Sequence, residues 1–131
     1  MGKLKKIACF DFDDTLCYRD GSPNLEMIET VNYYHQTGHK CYIVTARDKT
    51  HESIKWIRKN EPNRTKVKDF VRHYNLPIKQ CHFTCHTPKG PVLKKIGAII
   101  HFDDEIEQIT SATEFGIEAI LVDKSYHLRK I

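Results

Sequence analysis

The run IACFDFDDTLC, from Ile7 to Cys17, restricts this chain more than any other stretch. Four mostly apolar residues pass directly into Asp11-Phe12-Asp13-Asp14-Thr15. That is the pattern of a buried strand whose C-terminal end carries a group of acids. Carboxylates this close repel one another in a dry interior, so a cation must compensate. A divalent metal suits the task, because Mg²⁺ takes hard oxygen ligands and keeps part of its water shell. A second acid pair ends another apolar run far along the chain, in IIHFDDE, Ile99 to Glu105.

Between these two runs, strand and helix patterns alternate. The first strand is expected over Lys6 to Phe12, followed by a short excursion, CYRDGS. Leu25, Ile28, Val31 and Tyr34 have the spacing of a helix with one buried face, with Gly38 just beyond it as a stop. Cys41 to Thr45 reads as the second strand. Helices are expected over Lys49 to Lys59, with Ile54 and Ile57 facing inward, and over Thr65 to Tyr74, the two separated by Glu61-Pro62-Asn63-Arg64. Cys81 to Cys85 is the expected third strand. The loop Thr87-Pro88-Lys89-Gly90-Pro91 leads to a short helix, Val92 to Ile96, and a fourth strand, Ala98 to Phe102. A helix over Ile106 to Phe115, stopped by Gly116, and a fifth strand, Ile117 to Val122, complete the pattern; the tail DKSYHLRKI looks peripheral.

This alternation predicts an α/β fold: one Rossmann-like domain with a mostly parallel five-stranded sheet, right-handed crossovers and helices on both faces. In such sheets ligands gather at the C-terminal strand ends. Asp11, Asp13, Thr45, the Lys89 region, Asp103 and Asp104 all fall there. A length of 131 residues with 40 % apolar content suits one domain. The formal charge of +4 steers anions weakly, and the Lys and Arg residues are not dense enough in sequence to read as a dedicated nucleic-acid clamp. No stretch has the roughly 20 apolar residues that cross a bilayer, and MGKLKKIACF lacks the apolar core of a leader. The expectation is a soluble, cytoplasmic protein without a membrane partner. Five cysteines, an odd number with several in apolar runs, point to free thiols.

These motifs together resemble the haloacid-dehalogenase (HAD) phosphatases. FDFDDTL matches that family's first signature, two aspartates one residue apart followed by Thr. YIVTAR matches the second, a strand ending in Thr or Ser. Lys89 fits the third, a basic residue in a loop at a helix start, and HFDDE the fourth. The resemblance runs from Ile7 to about Val122.

The resemblance implies that Asp11 is the nucleophile that takes up the phosphoryl group, and that Asp13 is the general acid and then the base for water. The Asp11 carboxylate, the Asp13 backbone carbonyl and Asp103 would bind Mg²⁺, with Asp104 either a further metal-shell residue or one acting through water. Thr45 would donate its hydroxyl to a phosphoryl oxygen. Lys89 would neutralise charge on nucleophile and substrate, with Lys94 and Lys95 as rivals for that role. Arg47, directly after the second motif, is a candidate contact for another part of the substrate. Many relatives have glycine where this chain has Asp14.

Cys81-His82 and Cys85-His86 have an outward look of zinc ligands. Strand alternation would put 81 and 85 on one face and 82 and 86 on the other, which argues against a shared ion. His101 is expected to pack. Tyr18 and Arg19 sit in an excursion that relatives use as a flap near the pocket. The segments between motifs are too short for a sizeable cap domain, which leaves the site open. The resemblance therefore implies a Mg²⁺-dependent phosphomonoesterase acting on a nucleotide or a nucleic-acid end, with a phosphorylated small molecule as an alternative substrate. Protein phosphatase and non-catalytic phospho-ligand binding remain open alternatives.

Overall fold

The apolar runs form five strands in one sheet, ordered β3-β2-β1-β4-β5, with every neighbouring pair parallel. The computed structural model describes residues 6–123, and the expected peripheral tail lies largely outside them. The strands are β1 (Ile7–Phe10), β2 (Lys40–Thr45), β3 (Ile78–Phe83), β4 (Ala98–Asp103) and β5 (Glu118–Leu121). The helices are α1 (Leu25–Gln36), α2 (Ile54–Asn60), α3 (Val67–His73), α4 (Gly90–Ile96) and α5 (Ile106–Glu114). Parallel neighbours require crossovers over the faces, so both sides of the sheet are covered.

Strand alternation divides the core in two. Ala8, Phe10, Cys41 and Ile43 pack towards Met27 and Val31 of α1 and Val67 and Phe70 of α3. Cys9, Tyr42 and Val44 pack with Leu93 of α4 and Ala112 of α5. Phe10 and Phe102 stack across β1 and β4 with centroids 5.1 Å apart. Among the described residues, no helix is long and apolar enough to cross a membrane.

Two elements depart most from the sequence expectation. The third strand begins at Ile78 and ends at Phe83; Cys85 and His86 lie in a turn with φ of +52° and +64°. Strand alternation therefore does not govern those two side chains. The helix expected over Lys49 to Lys59 is broken at Ser53, whose backbone is extended. A 3₁₀ turn (Lys49–Glu52) precedes the break, and the Ser53 hydroxyl oxygen accepts the Trp56 N–H to cap α2. Ile54 is consequently exposed, whereas Ile57 is buried.

Candidate active site

Register brings the acids together. Phe10 pairs with Phe102, and the Asp11 N–H donates to the Phe102 carbonyl at 2.8 Å, so Asp11 and Asp103 leave adjacent strands at one edge. Phe10 also pairs with Ile43, which carries Thr45 to the same edge. The chain then turns sharply. Asp14 has φ +60°, a left-handed conformation that Asp tolerates better than most residues and glycine accepts freely. Its carboxylate accepts from Arg19 Nε at 3.2 Å. Asn24 secures the turn by donating to the Thr15 carbonyl at 2.9 Å, and its side-chain oxygen caps α1.

Asp11, Asp103 and Asp104 are all buried, and each offers an oxygen within 4.8 Å of the others. Thr15 Oγ1 lies 3.2 Å from Asp11 Oδ2 and 3.3 Å from Asp104 Oδ1, within donating reach of both. Lys89 is buried between two of the acids; its Nζ donates to Asp11 Oδ1 at 2.8 Å and to Asp103 Oδ2. Lys94 and Lys95 are exposed on α4. The Lys89 backbone is fixed by α5, where Gln108 Oε1 accepts its N–H at 2.9 Å and Ser111 Oγ accepts the next one, from Gly90, at 2.9 Å. A methyl group on Gly90 would lie 2.5 Å from the Ser111 carbonyl, so only glycine allows this approach.

Burial pushes the Asp11 carboxyl well above the usual carboxylate range, with Lys89 opposing and Asp103 adding to the rise. Burial also acts to raise Asp103, but hydrogen bonds and charge from His101 and Lys89 outweigh it and hold the group below its ordinary value. Burial alone would lower the Lys89 ammonium; the Asp11 and Asp103 charges hold it above normal instead. His101 is fully buried, with Nε2 2.8 Å from Asp103 Oδ2. Desolvation lowers its pKa, which favours the neutral ring. His101 is thus packed in the interior as expected, and its contact with Asp103 comes in addition. Its position two residues before Asp103 on one strand puts both side chains on the same face.

The donor set fits a hard divalent cation: three carboxylates and no sulfur or nitrogen ligand in the group. Lys89 contributes one positive charge beside three acids, and a divalent ion supplies the two more that would bring the group to neutrality. The Asp13 side chain is outside this group. It is half exposed and turned to Arg47, whose Nε and Nη2 donate to its two oxygens at 2.8 Å each. Arg47 itself is buried. It also donates to Glu52 Oε2 at 2.9 Å and to the Thr65 carbonyl at 2.8 Å, and its guanidinium carbon lies 4.7 Å from the Phe12 ring centroid. Glu52, with no motif around it in the sequence, receives Arg47, Arg64 and the Val67 N–H together. Thr45 is buried, and its Oγ1 accepts the Arg47 N–H at 3.2 Å, which leaves the hydroxyl hydrogen available to a ligand. Beside Asp13 opens a cleft of about 570 Å³, lined in part by Tyr18, Arg19, Arg47, Arg64 and Thr65.

No protein-family model matches the sequence. Solved structures do match the fold. A chain of the Pnkp1/Rnl/Hen1 RNA repair complex superposes with a TM-score of 0.66 at 15 % identity, over 90 % of this chain and 42 % of that one. A second structure of the Pnkp1/Rnl/Hen1 complex gives the same TM-score and identity over 45 % of its chain. This protein thus spans less than half the length of those relatives. A HAD family enzyme of Bacteroides thetaiotaomicron, an aspartate-to-alanine mutant in complex with magnesium and inorganic phosphate, matches with a TM-score of 0.57 at 14 % identity. That match covers 95 % of this chain and 98 % of the other. The all-parallel five-stranded sheet, the acid-bearing strand ends and these superpositions together establish a HAD-like core fold, with no sizeable cap among the described residues.

Proposed function

We propose that the protein is a phosphomonoester hydrolase that works through an aspartyl-phosphate on Asp11 with Mg²⁺ as cofactor. The observation that carries this reading is the buried group of Asp11, Asp103 and Asp104 with Lys89 bonded into it. Asp11, Asp103 and Asp104, with the Asp13 carbonyl, would hold the ion, which when bound supplies charge neutralisation for phosphoryl oxygens.

In the first step an Asp11 carboxylate oxygen forms a bond to phosphorus while the bond from phosphorus to the leaving oxygen breaks. Asp13 gives its proton to that oxygen. In the second step water attacks phosphorus, Asp13 takes the water proton, and the Asp11–phosphorus bond breaks to release inorganic phosphate. Lys89 balances charge on Asp11 and on the phosphoryl group, and Thr45 donates its hydroxyl to a phosphoryl oxygen. In the described conformation both Asp13 oxygens accept from Arg47. Asp13 therefore turns away from Arg47 to carry a proton, and Arg47 acts as its holder as well as a candidate substrate contact.

The cleft beside Asp13 has room for a leaving group, and the fold likeness to a chain of an RNA repair complex supports a nucleotide or nucleic-acid terminal phosphate. Aryl phosphate turnover with Mg²⁺ tests the catalytic part. Activity is expected to vanish in Asp11→Asn while the circular dichroism and melting profile persist. Normal turnover by a folded Asp11→Asn protein would overturn the assignment.

A further inference from the structure

The basic residues of this chain are segregated. Between Lys49 and Lys79 there are nine Lys and Arg against three Asp and Glu, whereas the rest of the chain has twelve against fourteen. The whole positive surplus thus belongs to the crossover between β2 and β3. Evenly spread charge gives weak steering; this much charge on one flank gives a directed field.

Part of that surplus lines one groove. Lys49, Lys66, Lys68 and Lys79 border an open groove of about 680 Å³ whose floor includes Val71 and Phe83. It lies among the 3₁₀ turn, α3 and the outer strand β3. None of these four lysines forms an ion pair among the described residues. The acid in the groove wall, Glu52, is already occupied by Arg47, Arg64 and the Val67 N–H. The groove also adjoins the catalytic cleft, because the cleft wall ends at Thr65 and the groove wall includes Lys66 and Val67. On the cleft side, Arg64 lies 5.5 Å from the Trp56 ring centroid, and Trp56 stacks on His51 at 3.9 Å.

Ammonium groups bordering an apolar floor match a chain that carries a negative charge at every unit and exposes flat, apolar faces between them. Unpaired nucleotides have that chemistry; a duplex hides its base faces. We propose that this groove binds the sugar-phosphate backbone and bases of a single-stranded nucleic acid whose terminal phosphate reaches Asp11. The placement of the end rests on the phosphatase reading above, but the binding does not. The groove then makes the enzyme prefer a polynucleotide end over a free nucleotide.

The test uses a fluorescein-labelled oligothymidylate of about 12 nucleotides and the full chain, read by fluorescence anisotropy without turnover. A strand without a terminal phosphate is expected to bind, with log K falling against log salt by about 0.7 for each phosphate neutralised. The triple charge reversal Lys49→Glu, Lys68→Glu, Lys79→Glu is expected to weaken binding by at least about tenfold and to flatten the salt slope by about 2. The same protein should keep wild-type aryl phosphate turnover, which verifies its fold and site, while losing kcat/KM on a phosphorylated oligonucleotide. Unchanged oligonucleotide affinity in the triple variant would overturn the proposal, as would tighter binding of an acidic phosphopeptide. Should aryl phosphate turnover be absent in the wild type while salt-dependent binding persists, the catalytic reading falls and the groove reading stands.

Discussion

Replacing Lys89 with methionine keeps most of the side-chain volume and removes one charge from a buried site. In the native protein the ammonium bonds to Asp11 and Asp103, and all three groups are buried. Removing one partner of a buried ion pair costs about 3–5 kcal/mol, because the remaining charge stays desolvated. That is a large share of the roughly 5–15 kcal/mol that holds a domain together. The cost has a definite pH dependence. Burial already raises Asp11 in the native protein, and loss of Lys89 raises it further. A carboxyl group whose folded value lies above its unfolded value of about 3.9 contributes no penalty below that unfolded value. Above it, stability falls by about 1.4 kcal/mol per pH unit until the raised folded value is reached. The variant has the wider window, so the two proteins lose stability in parallel until pH passes the wild-type folded value, and the gap between them grows only above it. Urea melts at pH 5 and pH 8 in chelator measure this directly. Magnesium at about 100-fold over its dissociation constant adds about 2.7 kcal/mol to any form that binds it. It should therefore recover part of the loss in Lys89→Met while turnover stays at least about 100-fold down. Equal urea midpoints for Lys89→Met and wild type at pH 8 would refute the premise that the lysine neutralises a buried acid group.

Other outcomes follow from single contacts. Gly90→Ala places a methyl carbon 2.5 Å from Phe115 Cδ2 and 2.7 Å from Ser111 Oγ, so it should lower stability by about 1–3 kcal/mol; an unchanged melting temperature would contradict that packing. Arg47→Lys keeps the charge but loses the two-pronged grip on Asp13, so turnover should fall by about tenfold or more with the metal dependence retained, and full activity would show that Asp13 needs no holder. Brief iodoacetamide treatment at pH 8, read by peptide mass spectrometry, should label exposed Cys85 first. Burial pushes Cys17 and Cys41 up to about 11 and Cys81 up to about 12, leaving almost no thiolate at these sites; earlier labelling of Cys41 than of Cys85 would argue against the core as described. Chelation should abolish aryl phosphate turnover, with Mg²⁺ restoring it, and turnover that survives chelation would remove the metal from the proposal.

The order of elements was legible because strand and helix periodicities are local. IACF and AIIHFD are apolar runs bounded by acids, and Leu25, Ile28, Val31 and Tyr34 repeat at helical spacing. The errors were local as well. Ser53 competes for the backbone as a helix cap and divides a stretch whose composition reads as one helix. The third strand is set by pairing with β2, where Cys41 aligns with Ile78, and that register extends it upstream of the Cys-His run.

The amino-acid sequence alone determined that acids end two buried strands and that a lysine follows a third, since these depend only on which residues are neighbours in the chain. Tertiary structure decided which side chains meet. It buried Lys89 rather than Lys94 against Asp11 and Asp103, joined Arg47 to Asp13 and Glu52, linked His101 to Asp103, and assembled four lysines along one groove. The meeting of Lys89 with the acids and of Arg47 with Asp13 follows from strand register and helix placement across the sheet, and that long-range geometry has no local imprint in the sequence.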